Sequence, residues 1–305
     1  MGKFKIAQKV LLLLCSISIF QFSKAAEEKI EIEAYAEIDK SGYVGQAIEY
    51  TITLKSTYPN IADIRIAQSP QYSADLEILR GSVSNKRPKE ITEKGKRYYC
   101  WTIQRNFIIP KKAGKYQIGS WDFVAFIPRE RIVNDFFWGP RRVVEYEELP
   151  VACKGVGFKA EDLPSNKTGK EFSGCIGDFT IEGWFPPGKI SQGHEAIAVF
   201  TISGYGSLEN LKIPNISKLF SEGCRLREID QNETRSQRDG KLFSEVTLTC
   251  SFMPEGSEFK IEPLSLLFFN PDTKKYELET SNFLQWDSSS EKPHSTMKSK
   301  EAIEI

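Results

Sequence analysis

Two stretches of this chain alternate apolar and polar residues with a period of two, and that alternation constrains the fold more than any other feature. Ile48, Tyr50, Ile52 and Leu54 interleave with Glu49, Thr51, Thr53 and Lys55, and Val246, Leu248, Cys250 and Phe252 interleave with Glu245, Thr247, Thr249 and Ser251. Successive side chains of a strand point to opposite faces, so this pattern describes strands with one buried and one wet face, as in antiparallel sheets. Further strands are expected near 30–38, 76–84, 97–109, 115–127 and 142–148, then near 177–185, 196–203, 208–213, 224–229, 259–269 and 275–284. Short strands rich in β-branched and aromatic residues, broken by frequent turns, predict an all-β chain built of sandwiches. Helix signals are nearly absent.

The pattern also repeats. YVGQAIEYTITL (43–54) has a counterpart in SQGHEAIAVFTISG (191–204), and RNFIIPKKAGKYQI (105–118) has one in CSFMPEGSEFKI (250–261). The offset drifts only from 148 at Gly45 and Gly193 to 142 at Gly114 and Gly256. Tandem duplication of one sandwich explains why 305 residues are about twice an ordinary domain. Turn-forming residues collect between the copies, which places the first sandwich at 27–150, a linker at 151–175 and the second sandwich at 176–286. After Trp286 the chain turns polar without periodicity, so 287–305 reads as a disordered tail.

Residues 1–25 have a basic start, an apolar run from Val10 to about Phe22 and a small-residue exit, the layout of a cleaved secretory signal peptide. The whole chain balances 41 basic against 41 acidic residues, but the signal carries Lys3, Lys5, Lys9 and Lys24 and no acid. The mature chain is therefore acidic and exported, a poor match to a nucleic-acid binder, which needs an excess of Lys and Arg. No later segment is long and apolar enough to span a bilayer.

Catalytic chemistry has little to draw on. The histidines are His194, in a turn, and His294, in the tail; there is no Gly-x-Ser-x-Gly elbow, and His194-Glu195 lacks the second histidine of a zinc-protease motif. No catalytic residue, cofactor or metal is expected, although a pair of acids brought together by the fold stays open. Five cysteines remain after the signal, Cys100, Cys153, Cys175, Cys224 and Cys250, without C-x-x-C spacing. They are either free thiols or include a bridge, for which Cys153 with Cys175 and Cys224 with Cys250 are the candidates by proximity.

Two surface features are candidates for partner binding. Residues 86–115 hold ten basic residues, Lys111, Lys112 and Lys115 among them, against Glu90 and Glu93. They form either the solvated face of a hairpin or a docking patch for an acidic partner or anionic headgroups. Arg105 stands where the repeat places inward-facing Cys250, so it either pairs with a carboxylate or marks a slip in the alignment. Phe136, Phe137 and Trp138 lie between turn residues in NDFFWGP, and alternation cannot bury all three on one face. They form either a small cluster under a loop or an exposed binding tip. Asn-x-Ser/Thr triplets begin at Asn166, Asn215 and Asn232 and matter only in a eukaryotic secretory route.

Six segments in order, IEAYAEIDKSGYVGQAIEYTITL, PKKAGKYQI, NDFFWGP, EFSGCIGDFTIEGWF, ISGYGSLENLKIP and LSLLFFNPDTKKYELETS, resemble the BatD family of bacterial aerotolerance, or oxygen-tolerance, proteins. The resemblance covers roughly residues 30–285 and rests on order and spacing rather than on one diagnostic motif. It implies two tandem immunoglobulin-like β-sandwich domains on the periplasmic side of the inner membrane. It also implies assembly with membrane-bound von Willebrand A-domain proteins, a MoxR-type ATPase and tetratricopeptide-repeat proteins, and it carries over no catalytic residue. Typical members are longer and end in a transmembrane helix, whereas this chain ends in a polar stretch at Ile305; membrane contact is expected only peripherally or through partners. The alternative expectation is a secreted carbohydrate-binding or adhesin module using Tyr43, Trp138, Trp184 and Tyr205.

Overall fold

The structure, a computed structural model, describes residues 30–81, 87–220, 223–287 and 294–296. The expected signal peptide and most of the expected tail lie outside those residues. Among the described residues no helix is long and apolar enough to cross a membrane.

The chain is nearly all β. Its first half forms β1 (Ile32–Ile38), β2 (Ser41–Tyr43), β3 (Ile48–Ser56), β4 (Asp63–Gln68), β5 (Leu76–Arg80), β6 (Lys89–Glu93), β7 (Lys96–Pro110), β8 (Gly114–Ile118), β9 (Trp121–Asp135), β10 (Gly139–Cys153) and β11 (Val156–Glu161). Its second half forms β12 (Phe172–Trp184), β13 (Ala196–Ser207), β14 (Cys224–Arg238), β15 (Lys241–Pro254), β16 (Glu258–Ile261), β17 (Ser265–Asn270), β18 (Lys275–Thr280), β19 (Phe283–Asp287) and β20 (His294–Thr296). Each half packs a large sheet on a small one. In the first, the order β4-β9-β10-β1-β3-β7-β5, with β6 also on β7, faces β2-β11-β8. In the second, β14-β15-β13-β12-β17-β18 faces β16-β19-β20.

The alternating stretches supply the two cores. Tyr50, Ile52 and Leu54 of β3 meet Trp101, Phe123, Phe158 and Ala160, and Leu248, Cys250 and Phe252 of β15 meet Phe200, Phe259, Ile261 and Trp286. Each such side chain contributes about 1.5–3 kcal/mol by leaving water. Tyr50 also brings a polar atom inside, where its hydroxyl accepts a 2.9 Å hydrogen bond from Trp121 Nε1. Without that pairing the buried indole N–H would be costly.

The two glycine turns that precede β3 and β13 are built alike. Gly45 and Gly193 both sit at positive φ, +84° and +73°, a conformation glycine adopts without steric cost. Each donates its N–H to a proline carbonyl at 2.8 Å, Gly45 to Pro110 and Gly193 to Pro254. Ile48 then pairs with Ile108, as Ala196 pairs with Phe252. That register sets Arg105 against Thr249 rather than Cys250, so the alignment had slipped by one residue. Arg105 lies opposite Thr51 on the polar face, with Nε 2.9 Å from Glu49 Oε1. A one-residue slip moves every side chain to the other face, which is why the alignment made Arg105 look buried. The halves also differ. β1 pairs in parallel with the second strand of the following hairpin, Ala34 with Cys153, whereas β12 pairs with the first, Ile176 with Phe269.

Other expectations need correction. The segment 151–175, expected to be a linker, completes β10, forms β11 and begins β12, leaving only residues 162–171 between the halves. Val151, Phe158 and Ala160 alternate inward there and belong to the first core. Residues 208–213 are loop, not strand; Leu208 and Leu211 plug the core edge, and a short apolar run cannot by itself distinguish plug from strand. The tail contributes β20, which pairs with β19 from Phe283 to Gln285.

The halves touch. Tyr43 and Leu163 pack with Phe172, Ile176, Phe269 and Tyr276 in a small cluster of their own. Tyr43 meets Phe269 edge-on at 4.9 Å, and the Tyr276 hydroxyl donates to the Pro164 carbonyl at 2.9 Å.

Candidate functional site

The β9–β10 hairpin runs in unbroken register from Trp121 opposite Cys153 to Asp135 opposite Gly139. Its base lies in the large sheet, with β4 pairing β9 from Asp122 to Phe126. From Pro128 to Asp135 neither strand has a further partner among the described residues. Eight residues at about 3.3 Å each make an arm roughly 25 Å long. Ion pairs replace a core along it. Arg129 reaches Glu147 at 2.8 Å, Arg131 reaches Glu145 at 3.4 Å, and Arg142–Glu130 and Arg141–Asp135 stand at 3.6 Å. All four are diagonal cross-strand pairs, each worth about 0.2–1 kcal/mol on an exposed sheet.

The turn is built by Asp135. Its Oδ1 accepts from the Phe137 and Trp138 N–H groups at 2.9 and 3.2 Å, and Gly139 returns the chain at φ +70°. With the backbone satisfied by an Asx turn, the three aromatic side chains are left to point outward. Phe136, Phe137 and Trp138 are 95, 85 and 83% exposed. The cluster-under-a-loop alternative is thus excluded: the strands extend past the sheet edge, and among the described residues only the Phe136–Phe137 edge-to-face contact at 5.3 Å shields the group. Ile132, Val144 and Tyr146 are exposed on one face of the arm, a stripe assembled by cross-strand pairing, with Ile132 beyond the strand expected to end at 127 and Val144 and Tyr146 within the one expected at 142–148. Such a concentration of exposed apolar surface makes the arm the candidate site.

The basic stretch has a different structure. Lys111 Nζ lies 3.8 Å from Glu77 and Lys112 Nζ 2.9 Å from Asp75, and the Asp75 carboxylate raises the Lys112 pKa. Lys96, Arg97 and Arg105 pair with Glu31, Glu90 and Glu49. Lys115 is exposed on β8 opposite Lys159. Glu31, Glu49, Asp75 and Glu77, all outside the stretch, thus pair with four of its ten basic residues, and its local count of charges overstates its field. The lysines follow β7 and the aromatics follow β9, so the two candidate surfaces sit on separate elements.

The remaining chemistry is quiet. Cys100, Cys153, Cys175, Cys224 and Cys250 are all free. Neither candidate bridge forms: Cys153 and Cys175 lie in different cores, and Cys224 pairs with Pro254, four residues along β15 from Cys250. Burial pushes the Cys175, Cys224 and Cys250 thiols up to about 11, which removes the nucleophilic thiolate at neutral pH. His194 Nδ1 faces the Gln192 carbonyl at 3.1 Å within its turn. Among the described residues no cluster of three or more His, Cys, Asp or Glu side chains is placed to hold a metal ion. Two sequon asparagines serve as local braces, Asn166 for the 166–170 turn and Asn215 as cap of the short 3-10 turn Ile216–Leu219. Tyr43, Trp138, Trp184 and Tyr205 do not form one aromatic platform, since Tyr43 packs in the junction and Tyr205 bonds Asp239 at 3.3 Å.

Fold and site together define an all-β sandwich protein that carries a projecting, aromatic-tipped arm. The chain matches no protein-family model, and no curated protein matches it.

Proposed function

We propose that this protein is a non-enzymatic, exported interaction module of a BatD-like aerotolerance system. In this reading two tandem immunoglobulin-like sandwiches form a periplasmic base. The β9–β10 arm docks with membrane-bound von Willebrand A-domain proteins and their tetratricopeptide-repeat associates. The observation that carries the reading is the arm itself. A folded chain gains nothing for its own stability by holding three large aromatic side chains in water, whereas an interface anchored by them gains most of its binding energy there. The resemblance noted above supplies the partner class, and contact with the membrane follows through those partners.

Crosslinking in cells that express a tagged, functional copy tests this. The wild-type chain is expected to recover A-domain proteins, and a variant carrying Phe136→Ser, Phe137→Ser and Trp138→Ser is expected to lose them. Equal recovery by both would remove the arm from the interface, and no recovery by either would remove the proposed partners.

A further inference from the structure

The arm leaves one edge of β10 bare. β9 occupies one side of β10 along its whole length, but on the other side β1 pairs with it only where Ala34 meets Cys153. From Arg141 to Leu149 every residue carries a backbone N–H, because the prolines of β10 stand at 140 and 150. Alternate N–H and C=O groups along this edge therefore turn outward and meet no strand among the described residues. The register is also unbroken there, so no bulge twists the edge away. β9 offers a poorer edge, since β4 covers its base as far as Phe126 and Pro128 then interrupts the donors.

The side chains of the β10 edge are sorted by charge. It reads Arg141-Arg142-Val143-Val144-Glu145-Tyr146-Glu147-Glu148, with cations at one end, acids at the other and two valines between. Two such strands laid antiparallel bring opposite charges together. Residues that oppose each other across a two-fold axis must share a face, so the axis passes through a residue. With the axis at Val144, Arg141 stands opposite Glu147 of the second copy, Arg142 opposite Tyr146, and Val144 opposite its own counterpart. Arg142 is then also diagonal to Glu148 of the second copy. Neighbouring registers fail: an axis at Glu145 or Arg142 sets like charges face to face, and one at Val143 puts the two Arg142 side chains on a diagonal. Within one chain Arg141 and Arg142 reach Asp135 and Glu130 only at 3.6 Å, which leaves their donors available.

We propose that the bare edge of β10 is a self-association surface, on which two copies of this chain pair antiparallel about Val144 and join their arms into one four-stranded sheet. The paired span, Pro140 to Glu148, is nine residues and roughly 30 Å long. An edge one strand wide covers less than the roughly 800 Å² per partner of a standard interface. The dimer is therefore reversible, with a dissociation constant on the order of 10–100 µM. Phe136, Phe137 and Trp138 lie outside the paired span, so the inference goes beyond the docking reading and does not rest on it.

Sedimentation equilibrium of the full mature chain, with no other protein present, tests the pairing. The wild type is expected to pass from monomer to dimer across that concentration range. Arg141→Glu and Glu147→Arg each set like charges opposite one another, and each alone is expected to weaken the dimer about tenfold or more. Mixed in equal amounts, the two variants oppose Glu to Glu147→Arg and Arg141 to Glu147 again, and the mixed dimer is expected to recover. Val144→Cys places its two thiols on the axis, where opposed Cα atoms lie about 4.5–5.5 Å apart, within disulfide reach. Oxidation is expected to link its copies more readily than those of Glu145→Cys. A wild type that stays monomeric at about ten times the expected dissociation constant would overturn the proposal, even if no variant folded. So would single variants that dimerise like the wild type, a mixture that does not recover, or equal crosslinking at the two cysteine positions.

Discussion

Replacing Phe136, Phe137 and Trp138 together by serine separates the two things an exposed aromatic group does. Fully buried, these side chains would cover about 450–750 Å², and they are 83 to 95% exposed, so about 400–650 Å² is on offer to a partner. At about 25 cal/mol per Å² the gross gain on docking is of order 10–15 kcal/mol. Association itself costs several kcal/mol, and anchors of this kind typically lose about 2–4 kcal/mol when truncated. We therefore expect binding to a purified A-domain partner, measured by calorimetry or interferometry, to weaken about 30- to 1,000-fold. Folding stability should move by less than about 0.5 kcal/mol in urea titration, since the rings stay almost wholly exposed among the described residues. The two assays together make the reasoning strict. A stability loss above 1 kcal/mol would mean that the rings pack on the body, and the exposure argument would fail. Unchanged affinity alongside unchanged stability would leave the rings without a role in docking.

Three further outcomes follow from the geometry. Tyr50→Phe removes the acceptor for Trp121 Nε1 in a fully buried site, so it should cost about 1–3 kcal/mol; a loss under 0.5 kcal/mol in urea unfolding would show the indole finding another partner. Gly193→Ala meets only the positive-φ penalty, because nothing lies within 4 Å of its Cβ, whereas Gly45→Ala adds a clash with Ile176 across the junction; differential scanning calorimetry should rank Gly45→Ala the more destabilising, and the reverse order would contradict the contact. The arm is held by exposed ion pairs, so hydrogen exchange at Arg129 to Asp135 should quicken in 1 M salt while the amides of β3 and β15 do not change. Equal response of arm and core would argue against the ion-pair ladder.

What local pattern can encode was legible in the residues. The alternation through Tyr50, Ile52 and Leu54 and through Leu248, Cys250 and Phe252 named the core strands, because inward and outward positions follow directly from the two-residue period of a strand. The repeated Gly45 and Gly193 turns were legible too, since only certain residues tolerate that backbone. The misreadings share a cause. The Arg105 alignment slipped because a drifting offset cannot fix register, and register depends on a hydrogen bond to Pro110, 65 residues from Gly45. The lysines at 111 and 112 looked unbalanced because Glu77 and Asp75, which neutralise them, come from another strand.

The arm shows the division most plainly. By itself the sequence determined that Asp135 to Gly139 turn and that three consecutive aromatics there cannot share one buried face. Whether those aromatics were covered or bare was decided only in three dimensions, by β4 leaving β9 after Phe126 while β9 and β10 run on. Alternation is a property of one strand and its two faces. Exposure at a strand's end is a property of where its neighbours stop, and no residue within the strand records that.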